Sequence, residues 1–397
     1  MEAEAYRGYC LQSVAAAYDV VLITGTEPTW ERPYLADWEV ADPTDQAALS
    51  AAGRALAERH QLAGVMTWTE WYLVPVARLA RQLGLPTNTP EAMQGCRNKA
   101  TARSLFARHG VPSAASVSVS SAEEAAAVAQ RIGYPVVVKP GSHAAAVGVM
   151  RVDDAAGLDA AYAFAAQTAE RGVENRQVLV EEYLDGPEIS VECVTYQGHT
   201  TVVAVTRKTI SPPPYFEQLA HAVDAADPLR STVAPVAAAA LRALGVTDGV
   251  SHIEMRLVNN HPRLIEVNGR LAGDMIGHLV HLATGIDLAR AAADIACTRA
   301  PEHTPTRRQA AAIRLIYPDT SGILTQLHLD ESAQQPWLER IRFQRRPGDE
   351  VRLPQDGGDM FTARLGFLIT TGPTGDLAQA RAQATHQRLA VTVAPNA

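Results

Sequence analysis

The sequence predicts a mixed α/β (α+β) chain of two or three domains, and three observations lead there. The chain has 397 residues, 47% hydrophobic and 20% charged, enough apolar material for several packed cores and too little charge for disorder. Over the first hundred residues, strand-like apolar runs alternate with helical stretches, the pattern of a small domain built on a parallel sheet. Further along, two alternating runs meet at a polar turn, the mark of an antiparallel hairpin.

Residues 7–17 and 46–60 read as helices, Val20–Thr24 and Gly64–Trp68 as strands, and 70–83 as a further helix. Together they make an N-terminal α/β domain over 1–95. The usual first strand with its Gly-rich turn is missing, so either the start lies upstream or the sheet is one strand short. Residues 98–109 form a helix stopped by Gly110 and Pro112. The alanine-rich stretches 234–243 and 288–296 read as helices rather than linkers. Pro301, Pro305, Arg307 and Arg308 mark a boundary at 301–308, ahead of a C-terminal domain over 305–397.

The formal net charge of −8 argues against a general nucleic-acid binder. Cys10, Cys96, Cys193 and Cys297 are scattered, with no zinc or redox spacing, and suit a reducing cytoplasm. No signal peptide is evident, and no run of about 18 apolar residues suggests a membrane partner.

Of 35 basic residues only Lys99, Lys139 and Lys208 are lysines. Lysine is a compact point charge and arginine a flat fork, so an end-on phosphate suits lysine. Lys139 ends the run Pro135-Val136-Val137-Val138-Lys139-Pro140, a buried strand whose tip leaves the core. The loop that follows, Gly141 to Val149, is small and almost uncharged, and can bring backbone N–H groups to an anion. It is no Walker A loop, because no Gly-Lys-Ser/Thr follows. A small-residue turn between strands would look the same. In Val178–Glu192 two strand-like runs flank an Asp-Gly-Pro turn, with Glu181 and Glu182 ending the first and Glu188 opening the second. Acidic strand ends are usually solvated; here they also suit a reader of a nucleotide edge.

The strongest constellation is His252–Leu257, a polar turn at 259–262, then Arg263–Arg270. Alternation puts Ile253, Met255 and Leu257 on one face and His252, Glu254 and Arg256 on the other. On the second strand Glu266, Asn268 and Arg270 share a face, opposite Ile265 and Val267. Glu254 then falls across from Glu266, and like charges so placed need a counter-ion. A hard divalent cation with oxygen ligands supplies one. The plainer reading is the polar face of an amphipathic hairpin.

Asn98-Lys99, Lys139 with its loop, Glu181-Glu182-Tyr183-Leu184 with Glu188, and Glu254 with Glu266-Val-Asn268-Gly-Arg270 follow one another in an order that resembles the ATP-grasp superfamily. The resemblance covers roughly residues 20–395. Within it the chain looks most like the L-amino acid ligases and related carboxylate–amine ligases, on Asn268–Asp274 with Thr284–Asp287 and on the tail from Ala312 to Thr371-Gly372. It implies an ATP-grasp fold: the N-terminal domain, an ATP-grasp domain over 96–300 with a mobile lid at about 115–190, and a ligase-type C-terminal domain.

The resemblance also implies roles. Lys99 and Lys139 would hold the ATP phosphates. Glu181, Glu182, Tyr183 and Leu184 would face the adenine, and Glu188 the ribose. Glu254, Glu266 and Asn268 would hold Mg²⁺, with Mn²⁺ an allowed substitute. Arg270 would steady the transferred phosphoryl group, and Lys208 would be a further phosphate contact. His143 could donate to a phosphate or be an exposed loop histidine. Residues 207–228 read as a stiff substrate loop, in which Glu217 and His221 would contact the amine or accept its proton; a Pro-rich surface loop is the alternative. The implied activity is ATP-dependent joining of a small-molecule carboxylate to an amine through an acyl phosphate, by a cytoplasmic enzyme for which a homodimer is allowed. A carboxylase-type enzyme of the same superfamily and a non-catalytic nucleotide-binding module are the rivals.

Overall fold

The computed structural model describes residues 4–142, 147–170, 177–330 and 334–395. The first segment carries α1 (Glu4–Ala15), β1 (Val21–Thr24), β2 (Asp37–Val40), α2 (Gln46–Arg59) and α3 (Leu73–Gln82), the last entered through a 3-10 turn at Glu70–Tyr72. β1 and β2 pair in parallel, Val21 opposite Asp37. Gly64–Trp68, expected as a strand, pairs with nothing in a ladder. It runs against the end of a later helix instead, where a Cβ on Gly64 would lie 2.2 Å from the Ala296 carbonyl oxygen. The parallel partner is Asp37–Val40, whose mixed polarity hid it. α4 (Pro90–Arg97) and α5 (Lys99–Arg108) follow, with Asn98 capping α5 through Thr101 N–H at 3.0 Å.

Residues 116–182 build a four-stranded antiparallel sheet from β3 (Ser116–Val119), β4 (Val136–Pro140), β5 (Met150–Val152) and β6 (Val178–Glu182), in the order β3-β6-β4-β5. α6 (Ala122–Ile132) and α7 (Leu158–Glu170) cover it, and Val136, Val138, Val178 and Val180 form its core with Ala125, Ala129 and Ala161.

The main sheet has eight strands in the order β11-β10-β7-β8-β9-β12-β16-β14. These are β7 (Glu188–Tyr196), β8 (His199–Ile210), β9 (Gln218–Asp224), β10 (Gly249–Val258), β11 (His261–Asn268), β12 (Ala310–Ile316), β14 (Leu338–Phe343) and β16 (Gly366–Gly372). Helices α8 (Arg230–Leu244), α9 (Ile276–Thr284) and α10 (Leu288–Ala296) pack on it. A three-stranded sheet, β15 (Glu350–Val351), β13 (Gly322–Leu329) and β17 (Leu389–Ala394), and helices α11 (Met360–Ala363) and α12 (Gly375–His386) complete the chain. Strands from beyond residue 308 thus continue the main sheet, because β12 pairs with β9, Ile313 opposite His221. Half of 207–228 is strand rather than loop: β8 runs on to Ile210 through a Thr- and Val-rich stretch and β9 takes up Gln218–Asp224, leaving 211–217 and 225–228 outside the strands.

Candidate active site

β10 and β11 meet at a two-residue turn in which Asn259 and Asn260 have φ of +50° and +65°, the left-handed pair that a tight hairpin requires. This turn sets the register, and Glu254 lies opposite Glu266. Ile253, Met255, Leu264 and Val267 go to the core beneath. Ile265 departs from the expected alternation: it lines the cavity beside Glu266. The reason is a bulge, since Glu254 pairs with Glu266 but Met255 with Leu264, and the extra residue turns Ile265 over.

The polar face of the hairpin forms one wall of a cavity of about 640 Å³, ample for a nucleotide and a small substrate. Lys99, Lys139 and Lys208 all line it, with Glu181 to Leu184, Glu188, His221, Glu254, Glu266, Asn268 and Arg270. Lys99 Nζ reaches Glu266 Oε1 at 3.1 Å. Lys208 Nζ contacts Glu254 and stands 3.6 Å from Glu188. Burial would lower the Lys208 pKa, yet Glu254 and Glu188 hold it above the ordinary lysine value. Lys139 Nζ lies 2.5 Å from Glu181, and Arg103 grips the same carboxylate at 2.9 and 3.1 Å. Burial would raise the Glu181 pKa, but Arg103 and Lys139 bring it down to about 2. Burial pulls Lys139 itself below the ordinary lysine value.

That perturbation has a measurable sign. With its folded pKa below the unfolded one, Glu181 contributes stability that is present above about pH 4.5 and fades toward pH 2. Thermal melts between pH 5 and 3 are expected to show a shallower acid loss in Glu181→Gln than in the parent. Parallel curves would show that the triad adds nothing.

On the same strand as Glu254, buried His252 hydrogen-bonds Glu192 through Nδ1 at 3.0 Å and faces Glu254 through Nε2 at 3.3 Å. Burial would lower its pKa, but Glu192 carries it up to about 9, so the imidazolium anchors Glu254. Arg270 Nε stands 2.6 Å from Glu70 Oε2, and Arg97 holds the other oxygen at 3.2 Å. The Arg270 contact is an ion pair without an aligned hydrogen bond. Glu182 is taken by Arg263 at 2.6 and 2.8 Å and by the Ala115 N–H at 3.1 Å. Arg256 ties Glu188, the Tyr183 hydroxyl and the Leu184 carbonyl together.

One expected residue is not among those that line the cavity. Glu217 lies off the cavity, on the 211–217 turn, with its N–H bonded to Ser211 Oγ and its carboxyl to Tyr317. Burial raises its pKa. His143 lies outside the described residues. Sequence reasoning missed Glu70, Arg97, Arg103, Glu192 and Arg364. Each is a lone charge on a helix, turn or strand, and only the tertiary fold shows what it meets.

Asn268 Oδ1 is buried and has no hydrogen-bond partner among the described residues. It shares a strand with Glu266, opposite Glu254. Two carboxylates and an orphaned amide oxygen form an all-oxygen donor set that fits a hard divalent cation. Lys99, Lys208 and His252 place positive charge beside the two carboxylates.

An antiparallel sheet with acidic residues on its ligand face, joined to a smaller sheet carrying a lysine at a strand end, defines the ATP-grasp class of nucleotide-dependent enzymes. The family models agree: an ATP-grasp domain matches residues 132–278, an ATP-grasp N-terminal domain 14–87, and L-amino acid ligase C-terminal domain 2 residues 314–394. The chain belongs to the ATP-grasp superfamily, and its C-terminal part matches the L-amino acid ligase C-terminal domain 2. It is 28% identical over 357 residues to the uncharacterized protein y4rH of Sinorhizobium fredii, covering 89% of this chain and 73% of that protein. Against alanine–anticapsin ligase of Bacillus amyloliquefaciens it is 26% identical over 263 residues, 61% of this chain but only 55% of the ligase. The fold is that of L-amino acid ligase from Bacillus licheniformis, with TM-score 0.83, 23% identity and coverage of 99% and 97% of the two chains. Among the described residues no helix is long and apolar enough to cross a membrane.

Proposed function

We propose that this chain is an ATP-dependent ligase that joins the carboxylate of one amino-acid-like substrate to the amine of another, through an acyl phosphate, giving ADP and phosphate. The observation that carries the reading is the pairing of Glu254 with Glu266 beside the unpartnered Asn268 oxygen, in a cavity lined by all three lysines of the chain. Free carboxylates are poor electrophiles, and two anions must meet. The protein's main work is therefore positioning and charge neutralisation.

Lys99 and Lys139 grip the nucleotide phosphates, with Lys208 beside them. Glu254, Glu266 and Asn268 would hold Mg²⁺, which would neutralise charge on the transferred phosphoryl group. The segment Glu181–Leu184 borders the adenine, and Glu188 the ribose. Arg270, held in place by Glu70, faces the negative charge that develops as the acyl carbon is attacked. His221 is the base for the amine: Asp274 holds its Nε2 at 3.3 Å. The amine nitrogen gives up a proton to His221, a C–N bond forms, and the C–O bond to phosphate breaks. The segment at about 115–190 acts as the closing lid, 96–300 as the ATP-grasp domain and 305–397 as the ligase domain. Four free cysteines suit the reducing cytoplasm.

The first test is isotopic. With the donor carboxylate labelled with ¹⁸O, one label should appear in the released phosphate and ADP should be the nucleotide product. AMP with pyrophosphate, or unlabelled phosphate in a productive coupling, would rule the mechanism out. ADP release that depends on bicarbonate rather than on an amine would favour carboxylase chemistry instead.

A further inference from the structure

We infer that Glu192 and His252 are a positioning pair for the cation site: Glu192, sealed inside the sheet, fixes the His252 ring, and the ring holds Glu254 by one oxygen so that the other is left for the metal. The inference rests on the assignment of Glu254, Glu266 and Asn268 above and adds the residues that stand behind it.

Glu192 is a buried carboxylate that does not reach the cavity. It lies in the middle of β7, is 0% exposed, and is not among the residues that line the cavity, whereas His252 and Glu254 both are. The pleat sets the three in a row. Glu192 pairs with His252 across β7 and β10, and Glu254 stands two residues further along β10, on the same face. Taking a carboxylate out of water is costly unless it is hydrogen-bonded, and an apolar side chain of similar size is often more stable in its place. Stability alone therefore gives no reason to keep an acid at this position.

The donors around Glu192 fix both it and the ring. Ser190 Oγ donates to Oε1 at 2.9 Å, and Thr206 Oγ1 donates to the same oxygen at 3.1 Å. His252 Nδ1 lies 3.1 Å from Oε1 and 3.0 Å from Oε2. An ionised carboxylate only accepts, so Nδ1 donates, and the ring cannot turn without losing that bond. Its other nitrogen, Nε2, is thereby aimed at Glu254 Oε1 at 3.3 Å.

Only one oxygen of Glu254 is taken among the described residues: Lys208 Nζ and His252 Nε2 both meet Oε1. The two holders differ in kind. Lys208 is an ammonium on a flexible stem and can leave Glu254 for an arriving phosphate. His252 is pinned from behind and stays. The carboxylate keeps its orientation while one counter-charge replaces another, and Oε2 is the oxygen free to bind the cation.

The test is Mn²⁺ affinity, which needs no turnover. Free Mn²⁺ is followed by electron paramagnetic resonance while the full chain is titrated with ADP present, against a protein-free ADP blank. Glu254→Gln should weaken binding and checks the ligand itself. Glu192→Gln and His252→Gln should each raise the Mn²⁺ Kd about 10- to 100-fold, the usual effect of losing an outer partner of a metal ligand. Thr206→Val, which removes one donor to Glu192 and leaves the ring contact in place, should give a smaller rise in the same direction, and decides the matter if Glu192→Gln does not fold. Thr195→Val breaks a buried hydrogen bond to Thr200 at 3.0 Å on the same strand and controls for lost stability; its Kd should match the parent's. Parental affinity in the folded Glu192 or His252 variants, or in Thr206→Val where those do not fold, overturns the positioning pair, as does an equal loss in Thr195→Val. In either case a weakened Glu254→Gln leaves the cation assignment standing. If Glu254→Gln binds Mn²⁺ as the parent does, the cation assignment fails and the pair with it.

Discussion

Glu266→Gln is expected to remove turnover by 100-fold or more while the chain stays folded. The carboxylate faces Glu254 across the hairpin and shares a strand with the orphaned Asn268 oxygen. The amide keeps the shape and removes one negative charge from the cation site. Removing one electrostatic stabiliser from an enzyme site typically costs 100- to 1,000-fold. Glu266 also meets Lys99 at 3.1 Å, so folding needs its own readout. Far-UV circular dichroism and a cooperative melt supply it, and an Mg²⁺ titration separates weaker metal binding from lost chemistry. The expected pattern is a steeper Mg²⁺ requirement and little recovery at saturation. A folded variant releasing ADP near the normal rate at ordinary Mg²⁺ would sink the metal assignment.

The hairpin was legible because period-two alternation decides which side chains share a face, and the Asn259-Asn260 turn fixes the register. The bulge that turns Ile265 over was not, since an unpaired residue breaks the period it would have to be read from. Lys139 was legible as the tip of a valine strand. Its partner Arg103 was not, because helix α5 carries two arginines and nothing local singles out the one aimed at Glu181. The Arg364–Asp274–His221 cluster joins residues up to 143 positions apart from three different segments, beyond any local pattern. The N-terminal sheet misled for another reason: Gly64–Trp68 has strand composition but packs against the end of α10, while Asp37–Val40 pairs despite its charges. Fold class survived these errors because it depends on the number and alternation of elements and not on every boundary.

Lys139→Arg is expected to be nearly as harmful as Lys139→Ala, each lowering turnover on the order of 100-fold. The chain uses arginine for almost all its basic charge but keeps lysine at this strand end. The structure gives the reason. Lys139 is 4% exposed, and its ammonium sits 2.5 Å from a carboxylate that Arg103 already grips with a two-toothed fork. A second guanidinium there would be larger, planar and pressed against a like charge, and could not turn its donors toward a phosphate as an ammonium does. Lys139→Ala leaves the Arg103–Glu181 pair in place, so it should fold and lose the phosphate contact alone. ATP affinity by calorimetry and turnover by ADP release are the two measurements. Both variants should bind ATP more weakly, and the arginine should recover only a small part of the lost rate. If Lys139→Arg restores most of the activity, any cation serves at this strand end, and the point-charge argument for all three lysines fails with it.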